Sequence, residues 1–228
     1  SYLNWNQDNL LAVRVSAEYD PLTPPGKPQG GMDFYYYSGI YRDVEMIIAD
    51  PLHITHALEE DEVAGGGVFV TYPIVEKERA VAHVKTHIRN EGQYLRKAQL
   101  RTRMIDKNGK VVACQQDSFR LLAGEALYIE QDLKIDNPFL WHPYTPDLYQ
   151  LESAVIENDK VIDHCAEAVG IRTIAYTRDG GFFINGEPLY LRGANRHQAF
   201  AYIGDAASNS MQERDVIDLK RGGCNAVR

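Results

Sequence analysis

Cysteine is scarce in this chain: Cys114, Cys165 and Cys224 are the only three among 228 residues. They lack close paired spacing, which argues against a disulfide framework and against a thiolate zinc site. As isolated thiols they are expected in cores as small hydrophobes. Long apolar runs are missing as well. No stretch approaches the roughly 20 residues that a membrane-crossing helix needs, and Ser1 does not open a signal peptide. Basic residues are in deficit, 24 Lys and Arg against 32 Asp and Glu, for a formal charge of -8. A nucleic-acid surface needs the opposite balance to displace counterions from phosphates. Nucleic acid and membrane are thereby excluded as partners, and an uncharged ligand is compatible.

Several catalytic signatures are also lacking. No G-x-S-x-G elbow occurs, and Gly65-Gly66-Gly67 has neither the Lys nor the Ser or Thr of a phosphate-cradling loop, so it reads as a flexible connection. Glu59, Glu60, Asp61 and Glu62 form an acidic run, most simply a solvated loop, and no other carboxylates stand as an obvious acid/base pair. His83 and His87 have the spacing of a metal pair on a helix. Their surroundings read as a strand, where the two would share a face but lie far apart.

What is present is ordinary globular material, 44% hydrophobic and 25% charged, with 14 Tyr, 18 Gly and 10 Pro that favour strands and turns over long helices. Leu10-Leu11-Ala12-Val13-Arg14-Val15 reads as a strand apolar on both faces. Pro21, Pro24, Pro25 and Pro28, then Gly30-Gly31, deny the backbone helix and ladder alike, so this segment should cross a surface. Val44 to Ile48 is strand-like and stops at Asp50-Pro51, where a domain boundary is expected.

Regular strands follow. Ala80, Ala82, Val84, Thr86 and Ile88 alternate with His83, Lys85, His87 and Arg89, as a half-buried antiparallel strand should. Ala98, Leu100, Thr102 and Met104 alternate again, and Asp106-Lys107-Asn108-Gly109 turns the chain into Val111 to Cys114. With Leu127 to Ile135, Tyr149 to Val155 and Val161 onward, the count approaches that of an immunoglobulin-like sandwich. Beyond Ile174, Asp179-Gly180-Gly181 and Asn185-Gly186 make tight turns and Tyr190-Leu191-Arg192-Gly193 reads as a strand. Ser210 and Glu213 fit a capping box, Gly222-Gly223 supplies a helix stop, and Asn225 to Arg228 reads as the next strand of a β-α-β unit.

Several segments, in order along the chain, resemble glycoside hydrolase family 2 of the β-galactosidase-like type. Ser38-Gly39-Ile40-Tyr41-Arg42-Asp43-Val44 resembles the motif that closes that family's sugar-binding-like jelly roll. Asn137-Pro138-Phe139-Leu140-Trp141 through Tyr149 is similar to a stretch of its immunoglobulin-like middle domain. Gly170-Ile171-Arg172-Thr173-Ile174, Phe183-Ile184-Asn185-Gly186 and Leu191-Arg192-Gly193-Ala194-Asn195-Arg196-His197 resemble the start of its (β/α)8 barrel, and Asn225-Ala226-Val227-Arg228 its second barrel strand. The fold class implied is mainly β. It comprises an incomplete jelly-roll end over residues 1–50, an immunoglobulin-like β-sandwich over 51–175, and the first β-α-β unit of a truncated TIM barrel over 176–228.

The resemblance implies a retaining exo-β-glycosidase of carbohydrate catabolism, a β-galactosidase above others, with a carbohydrate substrate and homo-oligomerisation left open. Its acid/base and nucleophile Glu residues would lie beyond Arg228, so the chain alone is expected to be inactive. Both ends read as cuts through structure, which leaves a cytoplasmic or an exported location open. Among residues matching family positions, Asp33 resembles an Asp that reaches the glycone and in some members binds sodium, and sodium or magnesium is implied for the complete enzyme. His197 resembles a His that hydrogen-bonds sugar hydroxyls, while Asn195 and Arg228 resemble residues supporting or lining the pocket. Arg42, Asp43 and Trp141 look structural, as a domain-contact ion pair and a buried corner. Ala199 stands where many relatives carry an acid, and Asn195-Arg196-His197 looks closer to galactosidases than to glucuronidases. The rival from another class is a free-standing β-sandwich that binds carbohydrate or mediates adhesion.

Overall fold

A computed structural model describes residues 3, 4, 6–16, 18–24, 26–32, 35, 37–60 and 65–228. In chain order its elements are β1 (Leu52–Ile54), α1 (Ala57–Glu60), β2 (Val68–Val75), β3 (Arg79–Asn90), β4 (Arg96–Ile105), β5 (Val111–Leu121), β6 (Ala126–Asp136), β7 (Tyr149–Glu157) and β8 (Lys160–Val169). There follow β9 (Ile174–Thr177), β10 (Gly181–Ile184), β11 (Glu187–Pro188), β12 (Gly193–Ala194), α2 (Asn209–Arg221) and β13 (Ala226–Val227). They fall into two compact units, Ile47–Tyr190 and the pair of segments Ser1–Met46 with Leu191–Arg228.

The unit Ile47–Tyr190 is the sandwich that the alternating pattern predicts. In one sheet β3 is central, with β1 and β2 on one side and β6 on the other; the second sheet runs β5-β4-β7-β8. Every strand pair in both is antiparallel, so each sheet can bury one face and wet the other. Ala80, Ala82, Val84, Leu133 and Ile135 of the first sheet meet Met104, Tyr149 and Leu151 of the second in one buried cluster. Leu52, Ile88, Ala98, Leu100, Leu121 and Val155 form another.

A polar belt divides these clusters, and the register explains it. Thr102 lies opposite Ser153, with Leu100 against Val155 on one side and Met104 against Leu151 on the other. Thr86 likewise stands between Val84 and Ile88 on β3. Thr86, Thr102, Gln131 and Ser153 are all buried. Gln131 Nε2 donates to Asp117 Oδ2 at 2.7 Å, which joins the two sheets through a charge-assisted bond.

Turn chemistry follows the residues. Asp106 Oδ1 accepts from the amides of Asn108 at 2.9 Å and Lys110 at 3.0 Å, and Gly109 takes the left-handed conformation that closes the β4–β5 hairpin. The segment from Asn137 to Tyr149 carries the sandwich toward β9. Phe139 donates its amide to the Tyr149 hydroxyl at 2.7 Å and Trp141 its amide to the Ile171 carbonyl at 2.8 Å. Arg172 lies over the Trp141 ring at 4.9 Å, and Trp141 is half-buried rather than fully enclosed.

Several expectations are corrected. Leu10 to Val15 and Val44 to Ile48 form no strand among the described residues, and Leu10 is 98% exposed. Extended backbone becomes a strand only where a neighbour completes the ladder, and no described residue offers one. The acidic run is not simply solvated: Glu60, on α1, takes Arg89 bidentately, with Nε donating at 2.9 Å. Those hydrogen bonds hold the Glu60 carboxyl below its ordinary value against the burial that would raise it. Asp61 and Glu62 lie outside the described residues. The cysteines are not core residues, since Cys114 is exposed and Cys165 and Cys224 are partly so; partial burial still pushes the Cys165 thiol up to about 11. Both His83 and His87 sit on β3. His83 meets Asp132 at 2.7 Å, whereas His87 is covered and meets the Thr55 hydroxyl at 2.9 Å.

Candidate functional site

In the second unit the Leu191–Arg228 segment builds a β-α-β arrangement around a glycine. Gly193 on β12 pairs in parallel with Ala226 on β13, and Ala194 with Val227. A Cβ at position 193 would stand 2.5 Å from the Ala226 carbonyl oxygen, so only glycine lets these backbones approach. The Asn225 side chain secures the start of the ladder, its Oδ1 accepting from the Arg192 amide at 2.8 Å. The strand begins three residues later than Tyr190 to Gly193 predicts, because pairing begins where β13 supplies a partner.

Helix α2 connects the strands. It is capped from Ser208, whose carbonyl accepts from Met211 and Gln212, while the Ser208 hydroxyl meets that of Ser210 at 3.0 Å. Ser210 therefore lies inside the first turn, and the capping box expected from Ser210 and Glu213 does not form. The stop at Gly222-Gly223 is as expected, with Gly223 at φ +91° and the Cys224 amide donating to the Leu219 carbonyl at 3.0 Å.

Parallel pairing sets the ends of β12 and β13 level, and the ladder continues past them. Arg228 donates its amide to the Ala194 carbonyl at 3.1 Å, and Arg196 donates its own to the Arg228 carbonyl at 2.8 Å. Asn195, His197 and Arg228 thus gather at the carboxyl ends of two parallel strands, all three exposed. Asp33 lies outside the described residues. Among the described residues no group of three or more His, Cys, Asp or Glu could hold a metal ion.

Arg196, between Asn195 and His197, engages α2. Its Nε and Nη2 donate to Asp215 Oδ2 on α2 at 3.0 and 2.7 Å, and its guanidinium lies 5.8 Å from the Phe200 ring centroid. A recess of about 430 Å³ opens here, lined by Asn195, Arg196, Asp215, Asp218, Leu219 and Cys224. Nothing local in the sequence marks this pair, because the partners are separated by the whole β-α connection. Arg42 and Asp43 form no ion pair among the described residues; instead Arg42 Nη1 donates to the Ala207 carbonyl at 3.2 Å and the guanidinium lies 5.3 Å from the Tyr41 ring.

The glycine is open to a direct test. Gly193→Val is expected to destabilise the β12–β13 pairing by about 1–3 kcal/mol, the range for overpacking against backbone that cannot yield. Hydrogen exchange checks this: the Arg196 and Arg228 amides should lose protection in the variant. Unchanged protection would show that the approach at Gly193 is not required.

Comparison with known proteins agrees with this architecture. Two models of one family match in tandem, "Glycosyl hydrolases family 2" over residues 66–172 and "Glycosyl hydrolases family 2, TIM barrel domain" over residues 176–228. A β-galactosidase of Thermoanaerobacter pseudethanolicus is 34% identical over 98% of this chain and 28% of its own length. A β-glucuronidase of Formosa agariphila is 30% identical over 100% of this chain and 24% of its own. The solved β-glucuronidase of Bacteroides uniformis aligns with a TM-score of 0.81 at 27% identity, covering 94% of this chain and 25% of that one. The chain belongs to glycosyl hydrolases family 2. It is mainly β, an immunoglobulin-like sandwich followed by the start of the family's TIM barrel domain. It spans about a quarter of the length of the curated relatives it matches. Among the described residues no helix is long and apolar enough to cross a membrane.

Proposed function

We propose that this chain supplies the accessory sandwich and the first segment of the pocket rim of a retaining exo-β-glycosidase acting on β-galactosides. In this reading the acid/base and nucleophile carboxylates come from later barrel strands of a longer protein. One observation carries it: the parallel β12–β13 pair brings two strand ends level, and Asn195, His197 and Arg228 follow those ends. The pockets of (β/α)8 enzymes are assembled from several such ends. His197 and Asn195 then hydrogen-bond sugar hydroxyls, and Arg228 orients a catalytic carboxylate bidentately and keeps it ionised. Asp33 is assigned to the glycone side of the same pocket.

The galactoside preference is supported by Asn195-Arg196-His197 and by similarity to β-galactosidases at 34% and 31% identity. A longer form of the protein, carrying the later strands, is expected to hydrolyse 4-nitrophenyl β-galactoside with a kcat/KM at least about tenfold above that for the β-glucuronide. In that form His197→Ala should lower kcat/KM for the galactoside by about a hundredfold, since an unpaired sugar hydroxyl weakens transition-state binding. The reverse preference would overturn the galactoside assignment, and an unaffected His197→Ala variant would remove His197 from the pocket.

A further inference from the structure

The outward face of the sandwich carries cations that have no carboxylate partner among the described residues. On β4 the residues Ala98, Leu100, Thr102 and Met104 are buried, so Lys97, Gln99, Arg101 and Arg103 alternate onto the other face. Register sets Lys97 directly opposite Arg120 of β5, and Gln99 between Ser118 of β5 and Ile156 of β7. Like charges directly opposite one another across a ladder disfavour the sheet. Arg103 on the same face is neutralised by Glu152 of β7. No ion pair of Lys97, Arg101 or Arg120 occurs among the described residues. Arg101 Nε is in addition shielded from solvent with no acceptor.

Lys97 and Arg120 edge a shallow groove of about 690 Å³ over β4, whose lining also includes Gln99, Ser118, Ile156 and Asn158, and Arg101 lies further along the same face of β4. The polar groups of the groove are already aligned: Gln116 Nε2 donates to Gln99 Oε1 at 2.7 Å, and Gln99 Nε2 to Ser118 Oγ at 3.4 Å. Asp159, on the β7–β8 turn, is the one carboxylate in the lining, fewer than the cations on this face.

We propose that this outer face is a second, non-catalytic site for an anionic polysaccharide, its carboxylates received in the groove by Lys97 and Arg120 and its hydroxyls by Gln99, Ser118 and Asn158, with Arg101 further along β4 to meet a chain that runs on past the groove. The choice of a saccharide rests on the glycosidase reading above; the anionic character rests on the cations alone. The groove argues against other polyanions. Phe119, the aromatic residue of the lining, alternates inward and packs against the core cluster of Leu52 and Leu100, so bases find no outward-facing ring to stack on. The neutral groups of Gln99, Ser118 and Asn158 beside the cations match a ligand that alternates hydroxyls with carboxylates better than an acidic peptide, which offers carboxylates alone.

Affinity electrophoresis and calorimetry of the full 228-residue chain test the proposal. Polygalacturonate should retard and bind the protein at low salt, with affinity falling as salt rises, whereas neutral galactan should bind at least about tenfold more weakly. Lys97→Glu with Arg120→Glu should weaken polygalacturonate binding by about tenfold or more. The milder pair Lys97→Gln with Arg120→Gln should give a smaller loss with the thermal midpoint unchanged or raised, since it removes two facing like charges, and this separates lost binding from misfolding. Equal binding to neutral galactan, equal binding to polyglutamate, or no loss in either double variant would overturn it. Because binding is read on this chain without hydrolysis, its failure would leave the galactosidase reading standing, and the converse also holds.

Discussion

Purified by itself, the 228-residue chain is expected to turn over neither aryl β-galactosides nor aryl β-glucuronides above a blank taken through the same purification. Glycoside hydrolysis needs two carboxylates flanking the bond, about 5 to 5.5 Å apart where configuration is retained. Among the described residues the rim offers no such pair. The carboxylates of the recess, Asp215 and Asp218, both belong to α2 and are committed, Asp215 to Arg196 at 2.7 Å and Asp218 to Arg221 at 3.4 Å. Asn195, His197 and Arg228 can bind and orient, but an amide, an imidazole and a guanidinium cannot replace a carboxylate nucleophile opposite a carboxylic acid. Glycosidases owe rate enhancements of at least about a millionfold to such constellations, so losing the pair is a loss of activity rather than a reduction. Turnover within about a thousandfold of that of the longer protein, free of host enzyme, would contradict both the assignment of the carboxylates to later strands and the roles given to the rim.

The second large effect lies in the sandwich core. Leu100→Ala is expected to lower stability by about 2–5 kcal/mol, the range for truncating a fully buried leucine. Leu100 is 0% exposed, lies between Asp117 and Val155 across the two ladders, and packs in the cluster of Leu52, Ile88, Leu121 and Val155. Its neighbours are held by strands paired on both sides, which limits how far the cavity can collapse. The thermal midpoint should fall by roughly 6 to 15 °C for a unit of this size. Leu10→Ala is the control. Leu10 belongs to an equally apolar stretch but is 98% exposed, and its truncation should change stability by no more than about 0.5 kcal/mol. Urea unfolding of both variants decides the matter: comparable losses would mean that the Leu10 to Val15 segment is packed as its sequence pattern suggests.

The contrast between these leucines shows what a pattern can and cannot convey. The alternation on β3 and β4 was legible because an antiparallel sheet with one dry face imposes a period of two on side-chain polarity. Even Thr86 and Thr102 stood at inward positions in that reading, though only the assembled sandwich shows that they form a belt with Gln131 and Ser153. The Leu10 to Val15 stretch has strand-like composition, yet strand formation depends on a partner that composition does not specify. His87 alternates outward and would be read as solvated, but it is 4% exposed because the chain around Thr55 and Gly67 folds back over it.

The candidate site was legible in a different way. Asn195, His197 and Arg228 were found through resemblance, since no local spacing marks an exposed Asn, His or Arg as a pocket residue. Nothing in the sequence marks Arg196 or Asp215, although Arg196 stands between Asn195 and His197. A strand residue facing a helix and its neighbours facing elsewhere look alike in a linear text, and only the path through α2 brings Asp215 to Arg196 at 2.7 Å.

The sequence by itself determined the alternating strands, the left-handed glycine at the Asp106–Gly109 turn, the order of sandwich before β-α-β unit, and the family, because these depend on residues close together or on motifs in a fixed order. Tertiary structure alone decided which apolar stretches are buried, why position 193 admits only glycine, how residues 195–197 and 228 come to share one rim, and which cations on β4 are left without carboxylates. Each of these is a relation between backbones or side chains brought together from distant parts of the chain. Hydrophobic burial, close packing and ion pairing act through space, and local periodicity carries no record of them.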